Sequence, residues 1–224
     1  MKNFTLLFAC LLPLFIFSQD DLSNWSSSSY APSVLNQYVN PENTTMSISG
    51  INMRANSYGS ADSSGWATPQ EFSGNPNPNK YIQFKIAPKT GFRLKLNQFN
   101  FTARTQGRPT KFKIEYSKVA DFSSGVATLS TTTVTSTSYV EYTNSFPTAP
   151  IVLSNEILYV RLYVYNTNNA FHIQYDQAIN SGTAFKGTII SNSILAVNDT
   201  KTIDKNISTS ICNHSKQWTR YCDH

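Results

Sequence analysis

The strongest constraint on this chain is the alternation of apolar and polar residues in successive short segments. In residues 81–86, the apolar side chains of Ile82, Phe84 and Ile86 alternate with more polar ones. Side chains of a β-strand point alternately to opposite faces, so this period of two predicts strands with one buried face. The segments that show it most clearly are 81–86, 92–96 and 112–116.

The alternation slips by one residue in the middle of the second segment. Leu94 and Leu96 share one phase, whereas Phe99 and Phe101 continue in the opposite phase after Asn97 and Gln98. A one-residue slip moves every later side chain to the other face of the sheet. The sequence therefore predicts a β-bulge or kink at residues 97–98.

Residues 156–165 predict a long strand with two different faces. One face is purely aliphatic and is expected in the core; it consists of Leu158, Val160, Leu162 and Val164. The other face places an arginine among three tyrosines, namely Tyr159, Arg161, Tyr163 and Tyr165.

Shorter segments complete an all-β prediction. Strands are expected at 46–53, 138–142, 170–176 and 183–190, and residues 56–79 are expected to form a long loop because they are rich in Ser, Gly, Asn and Pro. Eight or nine strands with turn signals between them, and no helical pattern, are typical of a two-sheet β-sandwich or jelly roll.

The first residues predict export. Lys2 precedes an apolar run over 4–17, and Ser18 precedes a polar segment, which is the pattern of a secretory signal peptide. The run is shorter than the roughly 20 residues of a membrane-spanning helix. The expected organisation is a signal peptide at 1–18, a β-sandwich domain at 19–192, and a linker and tail at 193–224.

Basic residues are concentrated in one part of the chain. Residues 80–118 contain ten Lys and Arg residues and one acid, Glu115, a formal net charge of +9 within a chain of net charge +5. Such a field attracts anionic partners. Lysines that keep the exposed face or edge of a sheet from aggregating would produce the same composition.

The sequence contains no recognisable catalytic or metal motif. A nucleophile elbow, a His-Glu-x-x-His pair and a phosphate-binding glycine loop are all absent. Two of the three histidines, His214 and His224, lie in the tail, and their spacing with Cys212 and Cys222 is not that of a zinc site. No catalytic residue, metal or cofactor is therefore predicted.

The strand over residues 156–165 supplies the first candidate binding residues. Arg161 beside Tyr163 and Tyr165 offers ring faces, hydroxyl groups and a planar guanidinium, which suit sugars, carboxylates and sulfates. His172 would extend this face if the next strand paired with it as a hairpin. The alternative is an ordinary aromatic ladder covered by a loop.

A second candidate site lies in the connection after residue 103. Arg104 and Arg108 place two guanidinium groups at one rim, and Trp66 of the long loop could join them. The alternative for Trp66 is a plug over the open end of the sandwich.

Several of these segments together resemble a known family. The residues concerned are 81–96, 99–104, Pro109 and 112–117, which follow the order of an aromatic strand, a Pro-x-x-Gly-aromatic turn, a Leu-x-Leu strand, a Phe-x-x-Arg strand and a Tyr-Ser end. This pattern resembles the galactose-binding-like jelly-roll domains that are common in secreted proteins of Bacteroidetes. The resemblance implies a fold like that of carbohydrate-binding modules. The closing strand, residues 171–176, fits the pattern only in part.

The tail carries a second resemblance. Residues 194–199 and 203–208 are similar to the lead-in of a type IX secretion sorting domain, but the Tyr-Pro-Asn-Pro motif and the small sandwich that normally follow are missing. We expect this sorting domain to be truncated, or replaced through a frameshift by residues 208–224.

Three functional readings follow from the sequence. The first is a secreted, non-catalytic module that binds a polysaccharide, in particular an acidic one. The second is a surface structural or adhesion domain with a protein partner, and the third is a small polysaccharide lyase using Tyr163 and His172 on one sheet face. The chain is expected to be a monomer without nucleic-acid partners, secreted or at the cell surface, or periplasmic if the sorting tail is lost.

Overall fold

A computed structural model describes residues 20–25, 30–51, 54–55, 65–68, 74–105, 107–166, 171–174 and 182–192. These ranges contain fourteen β-strands, and the predicted all-β class is confirmed. The strands are β1 (Asp20–Trp25), β2 (Val34–Leu35), β3 (Met46–Ser49), β4 (Arg54–Ala55), β5 (Gly65–Thr68), β6 (Tyr81–Ile86), β7 (Phe92–Thr105), β8 (Thr110–Ser117), β9 (Ala127–Val134), β10 (Val140–Ser145), β11 (Ile151–Val152), β12 (Leu158–Tyr165), β13 (Phe171–Gln174) and β14 (Thr183–Ser191). The predicted signal peptide and tail lie outside the described residues.

The strands form two antiparallel sheets, as expected for a sandwich. The five-stranded sheet has the order β3-β6-β12-β8-β9. The nine-stranded sheet is built around β7 in the order β2-β1-β14-β7-β13-β5-β4, with β10 and β11 also paired to β7. Because β7 is 14 residues long, β14 and β13 pair with successive parts of it.

Aromatic rings join the two sheets. Phe84 of β6 lies 5.3 Å from Phe99 of β7, and Phe101 of β7 lies 4.7 Å from Phe112 of β8, measured between ring centroids. All four side chains are essentially inaccessible to solvent. Burying an aromatic or aliphatic side chain of this size contributes about 1.5–3 kcal/mol, so these contacts fix how the sheets face each other.

The predicted slip in β7 is confirmed as a β-bulge. Leu96 pairs with Gly187 of β14, whereas Gln98 pairs with the adjacent Lys186, so Asn97 has no partner in this ladder. The strand nevertheless continues without interruption from Phe92 to Thr105. The bulge lets Leu94, Leu96, Phe99 and Phe101 all face the core, although their sequence phases differ.

The sequence-based strand count of eight or nine was too low. The expected loop over 56–79 contains β5, and neither β1 nor β9 was predicted. In β1 a register shift between Asp21 and Ser23 breaks the alternation that would have indicated a strand. In β9 the residues are mostly Ser and Thr, so the apolar pattern is weak even though Thr favours strands.

The bulge generates a test of the packing between β7 and β14. A Cβ atom at Gly187 would collide with the backbone carbonyl of Lys95, whereas one at Gly74 would meet no atom within 4 Å. We expect Gly187→Ala to lower the free energy of unfolding by about 1–3 kcal/mol, the usual cost of overpacking. Gly74→Ala, the matched control, should change it by less than about 1 kcal/mol. Urea denaturation measures both, and equal effects would contradict the described bulge.

Candidate functional site

The outer face of the five-stranded sheet carries the polar side of β12. The predicted aliphatic side of this strand is buried in the core, which confirms that part of the prediction; it comprises Leu158, Val160, Leu162 and Val164. Alternation therefore places Arg161 and the tyrosines of β12 on the opposite face. Neighbouring strands add Gln83 from β6 and Glu115 from β8, each paired directly with Arg161.

Arg161 is held between two aromatic rings. Its guanidinium carbon lies 4.0 Å from the ring centroid of Tyr81 and 4.0 Å from that of Phe122. The residue is only 8% exposed. A guanidinium in this position gains cation–π attraction on both of its faces, and the attraction is stronger where water is excluded.

Two hydrogen bonds fix the orientation of the same guanidinium. The Arg161 Nε donates to Oε1 of Gln83 at 2.9 Å, and Nη2 donates to the backbone carbonyl of Ala120 at 2.9 Å. An arginine has five N–H donors, so Nη1 and the second hydrogen of Nη2 are not used by these two bonds. These remaining donors give the site fixed polar groups on a rigid support.

Tyr163 extends the site along β12. Its ring meets the ring of Tyr81 edge-on, with the centroids 5.9 Å apart. Burial raises the pKa of the Tyr163 phenol above its usual range; Arg161 opposes this effect and the Glu115 carboxylate reinforces it. Tyr163 therefore remains a neutral hydroxyl at physiological pH and can both donate and accept a hydrogen bond. Glu115 itself forms an ion pair with Lys113.

A tight loop after β8 supplies the ring that covers Arg161. Phe122 has a φ angle of 60°, a backbone conformation that is costly for a bulky side chain. The loop is held by Ser117, whose Oγ donates to the Ser124 carbonyl and accepts from the Val119 N–H, both at 2.9 Å. In the same loop, hydrogen bonds from Ser123 lower the pKa of Asp121.

These residues form the wall of a groove of about 470 Å³ on the sheet face. The wall also includes the end of β3 and the turn before β6. Its residues are Ser49, Pro78, Asn79, Tyr81, Glu115, Asp121, Phe122, Val126, Arg161 and Tyr163. The groove therefore combines aromatic surfaces, hydroxyl and amide groups, two carboxylates and one guanidinium. Chemically, it can hold a polar ligand that also presents an apolar face.

The structure places two of the predicted binding residues, Arg161 and Tyr163, in this groove. Tyr165 is on the same face of β12, where it pairs with Lys111, but does not line the groove. All three are at most 8% exposed, so their side chains are largely covered and the Arg161 guanidinium is stacked between rings. The reason is that the loop carrying Phe122 covers the Arg161 side chain, as the alternative of a covered aromatic ladder anticipated.

His172 does not join this face, and the expected hairpin between β12 and the next strand is wrong. His172 lies in β13, where it pairs with Arg104 of β7 and Ala67 of β5 in the nine-stranded sheet. Its neighbours Phe171 and Ile173 are in the core, so its side chain points to the opposite outer face of the sandwich. The lyase arrangement of Tyr163 with His172 on one face is therefore not formed.

The second predicted site is also separate from the groove. The Arg104 guanidinium lies 4.8 Å from the ring centroid of Tyr139, and Arg108 is exposed in the turn between β7 and β8. Trp66 was expected in a loop but lies in β5, where its backbone pairs with Ile173. Neither Arg104 nor Arg108 lines the groove.

Sequence reasoning missed Tyr81, Glu115 and Phe122 as parts of the site. Tyr81 and Glu115 lie on the polar phase of strands that were predicted, so their position on this face was readable from alternation. Their pairing with β12 depends on the order of strands in the sheet, which alternation does not reveal. No sequence signal marks Phe122, because phenylalanine is not a residue that indicates a positive φ angle.

Within the described ranges, no group of three or more His, Cys, Asp or Glu side chains could hold a metal ion. Among the same residues, no helix has both the length and the apolar composition needed to cross a membrane.

No family model matches the sequence, and no curated protein matches it. Solved structures with similar folds exist. The xylan-binding CBM22-1 domain of Paenibacillus barcinonensis Xyn10C is 9% identical with a TM-score of 0.42, over 78% of this chain and 97% of that one. The C-terminal family 22 carbohydrate-binding module of Clostridium thermocellum Xyn10B is 15% identical with a TM-score of 0.41, over 75% and 96%.

A protein of a different class is also similar. The K2 adhesin domain of Lys-gingipain is 9% identical with a TM-score of 0.38, over 76% of this chain and 98% of that one. Carbohydrate-binding modules and an adhesin domain thus occur together among the neighbours. A shared sandwich architecture does not identify a ligand, so functional argument rests on the groove.

The two-sided stacking of Arg161 generates a stability prediction. Arg161→Lys keeps the positive charge but removes the planar group, and we expect it to lower the free energy of unfolding by about 1–3 kcal/mol. Arg108→Lys, the matched control at an exposed turn, should change it by less than about 0.5 kcal/mol. Urea denaturation of both variants measures the difference. Equal losses of unfolding free energy in the two variants would show that the stacked position of Arg161 does not contribute to stability.

The raised pKa of Tyr163 generates a pH prediction. An unfolded tyrosine loses its proton near pH 10, and the folded Tyr163 does so at higher pH, because burial disfavours the phenolate. Its contribution to stability is therefore fully present below about pH 10 and is lost as the pH rises through the folded pKa. We expect Tyr163→Phe to reduce the fall in urea midpoint between pH 9 and pH 11. The exposed control Tyr30→Phe should leave the fall in urea midpoint as it is in the unmodified chain. The same result for Tyr163→Phe would contradict the raised pKa.

Proposed function

We propose that this chain is an exported, non-catalytic module that binds carbohydrate in the groove of the five-stranded sheet. The observation that carries the proposal is the fixed cluster of Arg161, Tyr81, Phe122 and Tyr163. Sugars present hydroxyl groups and weakly apolar C–H surfaces, and aromatic side chains with polar tips match both. Because the cluster is already held by stacking and hydrogen bonds, a ligand would not have to order it, which favours affinity.

The size and shape of the groove support a small polar ligand or a short stretch of a polymer. Its volume of about 470 Å³ lies within the range of about 300–1,000 Å³ that is usual for ligand sites. The groove lies on an outer sheet face, so a polymer can pass over it rather than having to insert an end. This geometry supports a polysaccharide as the ligand.

Charges around the groove support an acidic polysaccharide. Lys85, Lys111 and Lys113 lie on the same sheet face, paired with Tyr159, Tyr165 and Tyr163. Of the two carboxylates in the groove wall, Glu115 is paired with Lys113, and Asp121 stays ionised because hydrogen bonds from Ser123 lower its pKa. Lys85, Lys111 and Arg161 then outnumber this one remaining negative charge. The face therefore keeps an excess of positive charge, which would attract a polyanion from a distance and lose that attraction in salt.

The state of Tyr163 supports the non-catalytic part of the proposal. A tyrosine that acts as a general base needs a pKa near the working pH, and burial moves the pKa of Tyr163 in the opposite direction. His172, the other candidate base, lies in the other sheet. Neither group is therefore in a position to accept a proton from a sugar bound in the groove.

Binding measurements on a glycan panel test the proposal. We would titrate the chain calorimetrically with xylan, β-1,4-galactan, alginate and a sulfated glycan, at low and high salt. For the glycan that binds, we expect Phe122→Ala to abolish measurable binding and Tyr163→Phe to weaken it about five-fold, since one net hydrogen bond is worth about 1 kcal/mol. The matched control is Tyr159→Phe, on the same strand face but outside the groove wall.

Each outcome bears on a different part of the proposal. Absence of binding to every glycan would reject carbohydrate binding and favour the adhesion reading. Binding that the groove variants leave unchanged would reject the groove as the site. Binding to neutral glycans that does not weaken in salt would reject the acidic ligand while keeping the module assignment.

A further inference from the structure

The longest open edge in the described part of the chain belongs to β9. This strand pairs with β8 on one side, and among the described residues no strand and no loop backbone pairs with its other side. Its eight residues extend over about 27 Å, and their outward backbone N–H and C=O groups form a template for another strand. Among the described strands, the others that pair with one strand alone are β2, β3, β4, β10 and β11, and each is shorter.

The edge lacks the charges and prolines by which proteins often prevent strand addition, and its one irregularity is a β-bulge at Leu129, which has no partner in β8. Residues 122–140 contain no charged residue and no proline, whereas β10, the next longest open strand, carries Glu141. Charges, prolines and very short strands are the common protections of exposed edges. Their absence over a stretch of this length, in a chain of net charge +5, distinguishes β9 from the rest of the surface.

We propose that β9 is an interaction edge, and that its partner is the β9 strand of a second copy of this chain, added antiparallel. Two copies repel each other wherever their lysines meet, so an uncharged segment is where they can approach. A charged partner would find no opposite charge on this edge. Two identical strands are also complementary to each other. An antiparallel pair of one sequence has two-fold symmetry, so each favourable contact is made twice.

The side chains of β9 suit such a pair. Thr128, Thr131 and Thr133 are exposed and lie on the outer face, where they pair with residues of β8. In a symmetric pair, threonines of one copy would lie beside threonines of the other, a favourable cross-strand combination. Leu129 remains packed against the core of its own copy. Pairing along residues 130–134, the regular part of β9 after the bulge, therefore requires no rearrangement of the sandwich.

The proposed dimer is a continuous ten-stranded sheet. A two-fold axis between antiparallel strands stands perpendicular to the sheet, so both copies present the same face on the same side. Val126, which immediately precedes β9, lines the groove. The two grooves would consequently lie on one surface of the dimer. The pairing itself depends only on the edge and not on what the groove binds.

A charge-reversal variant tests the edge. Thr131 and Thr133 lie opposite Lys113 and Lys111 of β8, so Thr131→Glu with Thr133→Glu adds attraction within a copy and repulsion between copies. Thr148→Glu with Ser154→Glu, at exposed loop positions outside β9, is the control of equal charge. Sedimentation velocity from low micromolar to millimolar concentration should show a dimer for the unmodified chain and the control, and only monomer for the β9 variant.

Two results would overturn the proposal. One is an unmodified chain that stays monomeric over the whole concentration range, and the other is a dimer that survives in the β9 variant. Amide hydrogen exchange of the unmodified chain gives an answer that does not depend on any variant. Amides of β9 should become more protected as concentration rises, and concentration-independent exchange of β9 would equally reject the interface.

Discussion

The contacts between phenylalanine rings of the two sheets determine which residues face outward and where the groove lies. Phe84 and Phe112 flank β12 in the five-stranded sheet and meet Phe99 and Phe101 of β7 across the core. Because side chains alternate along a strand, fixing these rings inward fixes Gln83 and the residues beside Phe112 outward. The position of the groove is thus a consequence of core packing, and its residues are held by strands that cannot slip without exposing aromatic surface.

Within that framework, Arg161 organises the outer face. Its charge is stacked between Tyr81 and Phe122 and bonded to Gln83, so one side chain links β6, β12 and the loop after β8. A buried cation needs such compensation, because leaving it unpaired costs far more than a neutral group would. The same arrangement keeps the groove wall rigid, whereas it is burial, opposed by Arg161, that raises the pKa of Tyr163 and keeps it neutral. Structure and binding chemistry at this face therefore depend on one residue.

Local periodicity explains which parts of this fold were predictable. Alternation identified β6, β8 and β12, separated the two faces of β12, and even located the bulge in β7. It could not identify β1, where a register shift disrupts the pattern, or β9, where Thr and Ser replace apolar residues. The pattern within a strand reports alternating burial. In β1 the consecutive residues from Leu22 to Trp25 are all buried, and in β9 only Val134 is, so neither strand shows the alternation.

The candidate site was predictable only in part, for a different reason. Arg161 and Tyr163 were identified from their own strand, but the position of His172 depends on which sheet its strand joins. Strand order is decided by contacts between residues distant in sequence, and a single sequence carries no direct record of them. The burial of Arg161 depends on a loop conformation at Phe122 that the residue type itself disfavours.

The positive φ angle of Phe122 has a consequence for how this position can vary. Glycine would relieve the backbone cost but remove the ring over Arg161, and any other large side chain would keep the cost without necessarily filling the same space. Stability and a closed groove wall therefore make opposite demands at one residue. In relatives of this chain, an aromatic residue at position 122 and an arginine at position 161 should therefore be kept or lost together. The two positions should covary.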